Sequence, residues 1–211
     1  MGGSRRIAIM VTLVSALVWS AAASAEVVIV PPRPGQVGLS LQGQYGTFLE
    51  SGDLGDSFAA GPGFAVRLRY RMRYERGFGL SFESQTFDTR AGAEQRDAFG
   101  VIIPADSVFA PRTMTLGTFG VDFYQMFGTR TKTTKMLSVG GGLARVSREL
   151  NDGETDFPGD GMYVSGGAGM EKFVYQSWGV DVSGRYFAVF RDGKVNHQVQ
   201  LSLGLVFYAS L

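Results

Sequence analysis

Arg67, Arg69 and Arg71 stand two residues apart, a spacing that points three guanidinium groups to one side of an extended chain. Glu83, Asp122, Glu171, Asp181 and Arg185 sit in similar surroundings, each in a short stretch where apolar residues alternate with small or polar ones. Charges enclosed between strands are tolerated when they pair. These eight residues are therefore candidates for an internal charge network. The three strand-aligned arginines with Glu83 form one expected group, and Glu171, Asp181 and Arg185 with Asp122 form a second. Such a network either fills a lumen or, if its pairs exchange, gates a narrow conduit for ions.

Other chemistry is weaker. His197 is the single histidine, and a nucleophile–base pair needs the base within hydrogen-bond reach of the nucleophile. No serine stands at two-residue spacing from it, and Arg185 or Ser183 are its expected cross-strand neighbours, so a non-catalytic histidine at a loop end is expected. The acidic segments Glu50–Asp56 and Asn151–Asp156 lack the D-x-D-x-D-G register with a distal glutamate, which favours solvated loops over calcium sites. With no cysteine, there is no disulfide framework, no thiolate metal site and no thiol to carry a lipid. No metal, cofactor or catalytic residue is expected.

The positioning elements begin after an export signal. Arg5 and Arg6 precede an apolar run from Ile7 to about Val18 and the small-residue stretch Ala23-Ser24-Ala25. That order is a secretory signal peptide over residues 1–25, cleaved before Glu26, and the apolar run is shorter than the roughly 20 residues of a spanning helix. Residues 26–36, with Pro31, Pro32 and Pro34, read as an extended lead-in to the barrel at 37–211, because proline cannot donate to a ladder. Without the leader's two arginines the 20 basic and 19 acidic residues nearly balance, which gives no reason to expect nucleic acid.

From Val37 on, apolar residues alternate with period two in eight segments, the cleanest being Val199, Leu201, Leu203, Leu205 and Phe207 against Gln198, Gln200, Ser202 and Gly204. Met114 and Leu116 have the opposite phase to Phe119, Val121 and Phe123, so a bulge or loop extension is expected near Gly117. The connections alternate in length. Glu50–Ala60, Asp88–Arg112 and Ser147–Asp160 read as long, Met72–Glu75, Gly128–Thr134 and Val174–Ser177 as short, and Phe190–Asn196 as medium. Short turns on one side and long loops on the other are how transmembrane barrels are built. The apolar segment Phe99–Ala110 is expected to cover the mouth, extend strands or meet a partner.

The contents of the two faces decide which one points outward. The polar face is rich in Gly and Ser with scattered charges and nearly lacks Lys, which suits the narrow lumen of an eight-stranded barrel. The apolar face has no charge in any strand centre, as lipid requires. Aromatics gather at strand ends: Tyr70, Phe78, Phe123, Phe127, Phe173, Trp178 and Phe207 at the short-turn end, and Tyr45, Phe48, Phe64, Phe87 and Tyr186 at the other. They read as interfacial girdles. In hydrocarbon an open sheet edge is not tolerated, so the first and last strands should pair.

Over Val37–Phe207, and above all in the last strand Gln198–Phe207, the chain resembles the small outer-membrane β-barrels of the OmpA/OmpX type, in the outer membrane protein β-barrel domain family. The resemblance implies an all-β, eight-stranded antiparallel up-and-down transmembrane barrel with both termini on the periplasmic side of a Gram-negative outer membrane. It also implies insertion by the barrel-assembly machinery, outer-membrane lipid as surroundings, and an extracellular ligand met through loops 50–60, 88–112 and 147–160. A structural or surface-interaction role is the leading expectation. A narrow pore for ions or small solutes is the alternative, with a lipid-A-modifying enzyme and a soluble ligand-binding barrel behind it.

Overall fold

The computed structural model describes residues 32–49, 53–90, 95–96, 102–103, 107, 110–175, 177–191 and 193–210. The leader expected over 1–25 and residues 26–31 of the lead-in lie outside the described residues, as does most of Phe99–Ala110. Eight antiparallel strands close into one barrel: β1 (Gln36–Phe48), β2 (Gly61–Arg71), β3 (Arg76–Asp88), β4 (Pro111–Phe127), β5 (Thr133–Leu150), β6 (Thr155–Tyr175), β7 (Trp178–Arg191) and β8 (Lys194–Ser210). Each pairs with its sequence neighbour, and β8 pairs with β1 from Gln36↔Ser210 to Phe48↔Gln198, so the wall has no edge.

Direct partners can be followed around the wall from Gly38 through Arg69, Gly79, Asp122, Gly140, Ser165, Phe187 and Gln198. The circuit returns to β1 at Phe48, ten residues beyond its start. Staggered closure of this kind goes with strands tilted about 35–45° and, for eight strands, an interior that side chains just fill.

Along every strand the apolar phase faces outward. On β8, Leu201 is 71% and Leu205 56% exposed, whereas Gln198, Gln200, Ser202 and Val206 are buried. Outward side chains on β7 run from Trp178 through Val182 and Tyr186 to Phe190, enough to supply the roughly 9–11 residues that cross a bilayer as a tilted strand. Ring pairs join neighbouring strands at both ends of this band: Trp178–Phe207 at 4.8 Å and Tyr70–Phe78 at 5.4 Å at the tight-turn end, Phe64–Phe82 at 6.0 Å nearer the other. Three expected girdle members instead point inward, since Phe48, Phe87 and Phe173 are at most 3% exposed.

The expected bulge near Gly117 is absent. β4 runs unbroken through Gly117, which pairs with Ser84 on one side and Arg145 on the other, and its only register shift lies at Pro111/Thr113. Met114 and Leu116 keep the phase of Thr118 and Asp122 and face the lumen. The interior itself turns apolar toward that end of the barrel.

Two expected loops are also much shorter than their sequence suggests. The segment Ser147–Asp160 is a hairpin whose strands extend to Leu150 and from Thr155, leaving only Asn151–Glu154 as the turn. Phe190–Asn196 reduces to Asp192 and Gly193 between β7 and β8. Gly153 and Gly193 close these hairpins with φ of 84° and 73°, conformations open to glycine at no steric cost. Toward this end the inward face carries apolar residues such as Val146, Phe187 and Val189, so the period-two pattern loses its phase while the backbone ladder continues. Near the Asn151 hairpin the register slips between Val146 and Arg148, where Pro158 stands on β6; a bulge is one of the few sheet positions that suit proline.

Candidate functional site

The lumen divides into three tiers. At the end carrying the long connections, a short helix α1 (Asp53–Ser57) and the residue after it put Leu54 and Phe58 into the mouth, each 1% exposed. There they pack with Phe48, Phe87, Met114, Leu116, Val146, Phe187 and Val189. Leu54 N–H donates to Asn196 Oδ1 at 3.3 Å, and Phe58 bridges to Thr89. The segment around Asp53, expected to be a solvated acidic loop, is therefore a plug over the barrel mouth. At the opposite end Tyr124, Met126 and Met136 form one apolar cluster, and Phe173, Val206 and Tyr208 another.

Between these caps lie the eight charges. Arg67, Arg69, Arg71 and Arg185 face Glu83, Asp122, Glu171 and Asp181, all at most 4% exposed, four positive groups against four negative. Arg67 pairs with Glu83 at 3.0 Å and donates to Ser183 Oγ at 3.0 Å. Arg185 holds Glu83 and Asp122, each at 2.5 Å, and Ser165 Oγ at 2.7 Å. Arg69 bonds Glu171 and, at 3.0 Å, Asp181, while Arg71 reaches Glu171 at 2.9 Å. The grouping by neighbouring strand is thus corrected. Glu171 and Asp181 belong to the β2 arginines, and Arg185 joins Glu83 to Asp122, because long side chains in a narrow lumen meet across it.

Residues that sequence reasoning left out complete the shell. Tyr208 donates to Glu171 at 2.8 Å, Tyr124 to Asp122 at 3.2 Å, and Gln200 to Glu83 at 2.5 Å. Ser40 donates to Asp181 at 3.1 Å and Gln198 to Gln85 at 2.6 Å. Their inward phase was readable, but apart from the Tyr124–Asp122 pair, two residues apart on β4, their partners lie strands away.

Gly140, Gly142, Gly167 and Gly169 stand on the inward phase of β5 and β6, where an added Cβ would meet neighbouring backbone or lumen side chains, Arg185 among them at Gly167. A Cβ on Gly140 would fall on the Asp122 carboxylate and 2.7 Å from the Val121 carbonyl, whereas one on Gly166 meets nothing nearer than 4.0 Å. Gly140→Val should therefore abolish refolding to the compact, heat-sensitive gel form, while Gly166→Val should refold like the parent; equal yields would refute this account of the lumen.

The filled lumen leaves little space. The cavity lined by Gln44, Glu83, Gln85, Gln198 and Gln200 among others has about 10 Å³, roughly one water-sized sphere. His197, by contrast, is on the outward phase, its Nδ1 hydrogen-bonded to the Tyr186 hydroxyl and its ring stacked on that tyrosine at 5.8 Å. Ser183 and Arg185, expected as its neighbours, point inward on the other side of the wall. Of the Asn151–Asp156 segment, Asn151–Glu154 is an exposed turn in which Asp152 accepts from Glu154 N–H at 2.9 Å, and Thr155 and Asp156 begin β6.

Solved structures share this architecture. The Neisserial surface protein A (NspA) matches at 16% identity and a TM-score of 0.56, covering 82% of this chain and 98% of that one. The chain has the fold of the small outer-membrane barrels. Ail, the attachment invasion locus protein of Yersinia pestis, matches at 14% identity and TM-score 0.53 over 83% of this chain and 99% of its own. The outer membrane protein OprG of Pseudomonas aeruginosa does so at 10% and 0.51, over 87% and 100%. No family model matches the sequence, and no curated protein matches it. Within this fold, the lumen of the chain carries paired charges between apolar clusters at its two ends.

Proposed function

We propose that the protein is a non-enzymatic integral barrel of the Gram-negative outer membrane, with a structural or surface-interaction role carried by its outer connections. The observation that carries this reading is the inverted wall: Leu, Val and aromatic side chains outside, eight paired charges inside. A leader cleaved before Glu26, periplasmic termini, and a last strand read by the barrel-assembly machinery belong to the same proposal. Expressed protein should fractionate with outer membranes, and its unboiled form should migrate differently from the boiled form on a gel. Recovery in the periplasmic fraction without detergent would overturn the reading.

The apolar plug and the filled lumen speak for a sealed barrel. Planar bilayers containing the protein should show no unitary current steps. Steps that disappear on Glu83→Gln would instead establish the gated conduit. Lipid A mass spectra should be unchanged by overexpression.

The connections at the plugged end, residues 49–60, 89–110, 151–154 and 192–193, carry nine acidic residues and two basic ones. Ail has been solved with the heparin analogue sucrose octasulfate. An acidic end of this kind repels such a polyanion at moderate salt and favours a cationic or cation-bridged surface as the outer partner.

A further inference from the structure

The tight-turn end has the opposite charge. Arg33, Arg73, Arg76, Arg130, Lys132, Lys135 and Lys172 lie in or beside its turns, with Glu75 the one acid among the described residues there outside the lumen network. No ion pair joins any of these cations to a described carboxylate; Arg130 lies over the Tyr74 ring at 4.9 Å. Cations grouped at a bilayer surface attract anionic headgroups.

On the outer flank beneath this rim lies a groove of about 310 Å³, lined by Met72, Arg76, Phe123, Gln125, Leu137 and Val139 among others. Its layout follows from the register. Arg76, Gln125 and Leu137 stand abreast at the turn side, and Phe123 and Val139 stand abreast two residues nearer the middle of the wall. Lys135, two residues before Leu137 on the same outward phase, adds a second cation at the rim. A ligand fitting this groove is anionic at the rim and apolar toward the bilayer centre.

We propose that this groove is a binding site for an anionic phospholipid, its phosphate on Arg76, Gln125 and Lys135 and an acyl chain along Phe123, Leu137 and Val139. The site rests on the outer-membrane reading above. The amphipathic layout selects lipid over a soluble anionic polymer, which would use the cations and leave the apolar groove unfilled.

The test reconstitutes the full mature chain into phosphatidylcholine vesicles, then extracts it into mild detergent and titrates it with phosphatidylglycerol or phosphatidylcholine, reading bound lipid by native mass spectrometry. Phosphatidylglycerol should be retained in preference. R76Q should weaken that retention about five-fold, the effect of one basic residue at a membrane surface. V139W should weaken it by filling the groove with no change of charge, and R112Q at the far end should leave it unaltered. Equal retention of the two lipids, or R76Q and V139W behaving like the parent, overturns the site. Binding of soluble acidic glycan that V139W leaves intact, without lipid preference, also overturns it. Failure to insert into phosphatidylcholine vesicles at all would instead defeat the membrane reading.

Discussion

Arg185→Leu is expected to destabilise the folded barrel by about 3–5 kcal/mol, the usual cost of removing one member of a buried ion pair. The guanidinium serves two acids at once, Glu83 and Asp122. Glu83 would keep Arg67 and Gln200. Asp122 would keep only the Tyr124 hydroxyl at 3.2 Å, a buried carboxylate without a counter-ion. Adding Asp122→Asn to Arg185→Leu restores neutrality with three positive and three negative groups and should recover a substantial part of the loss. Urea unfolding in lipid vesicles, followed through Trp178, the one tryptophan in the strands, measures both. A single variant within about 1 kcal/mol of the parent, or a double variant no better than the single, would contradict the network described above.

The second large effect belongs to the outside of the wall. Leu203 lies 39% exposed between Gly43 and Val182 on the neighbouring strands, near the middle of the apolar band. Leu203→Arg should cost about 2–4 kcal/mol in lipid, as a cation on the lipid face near the midplane does. If the wall faced water, the same change would be neutral or would improve solubility. The sign of the result therefore reports which solvent surrounds the barrel. Leu203→Ala is the control, losing contact area without adding charge, and should cost less.

Closure, strand number and outward phase were legible in the sequence because a barrel wall obeys period two wherever one face meets hydrocarbon. The strands of β8 and β7 could be read residue by residue. The lumen was legible in membership but not in pairing: Glu171 is 102 residues from Arg69, and alternation carries no information about partners across a cavity. The plug left a trace that was misread. Phe48, Phe87, Met114, Leu116, Phe187 and Val189 all sit on the polar phase at the plugged end of their strands. At Met114 and Leu116 this looked like a bulge, and at Phe48 and Phe87 like a girdle. The inversion recurs on four strands, and that recurrence is the signal of an apolar seal. The outer hairpins were hidden for the converse reason, since their ladders continue where hydrophobicity stops alternating.

Two of the β2 arginines, Arg69 and Arg71, find their acids on β6 and β7, strands that never touch β2 in the wall. A half-zipped sheet would carry those guanidinium and carboxylate groups into acyl chains with no counter-charge, at a cost of several kcal/mol for each ion. Assembly is therefore expected to be all-or-nothing. The last seam, between the first and final strands, and the electrostatic latch across the diameter must engage together, and unfolding should run as one cooperative step with no stable, partly opened cylinder along the way.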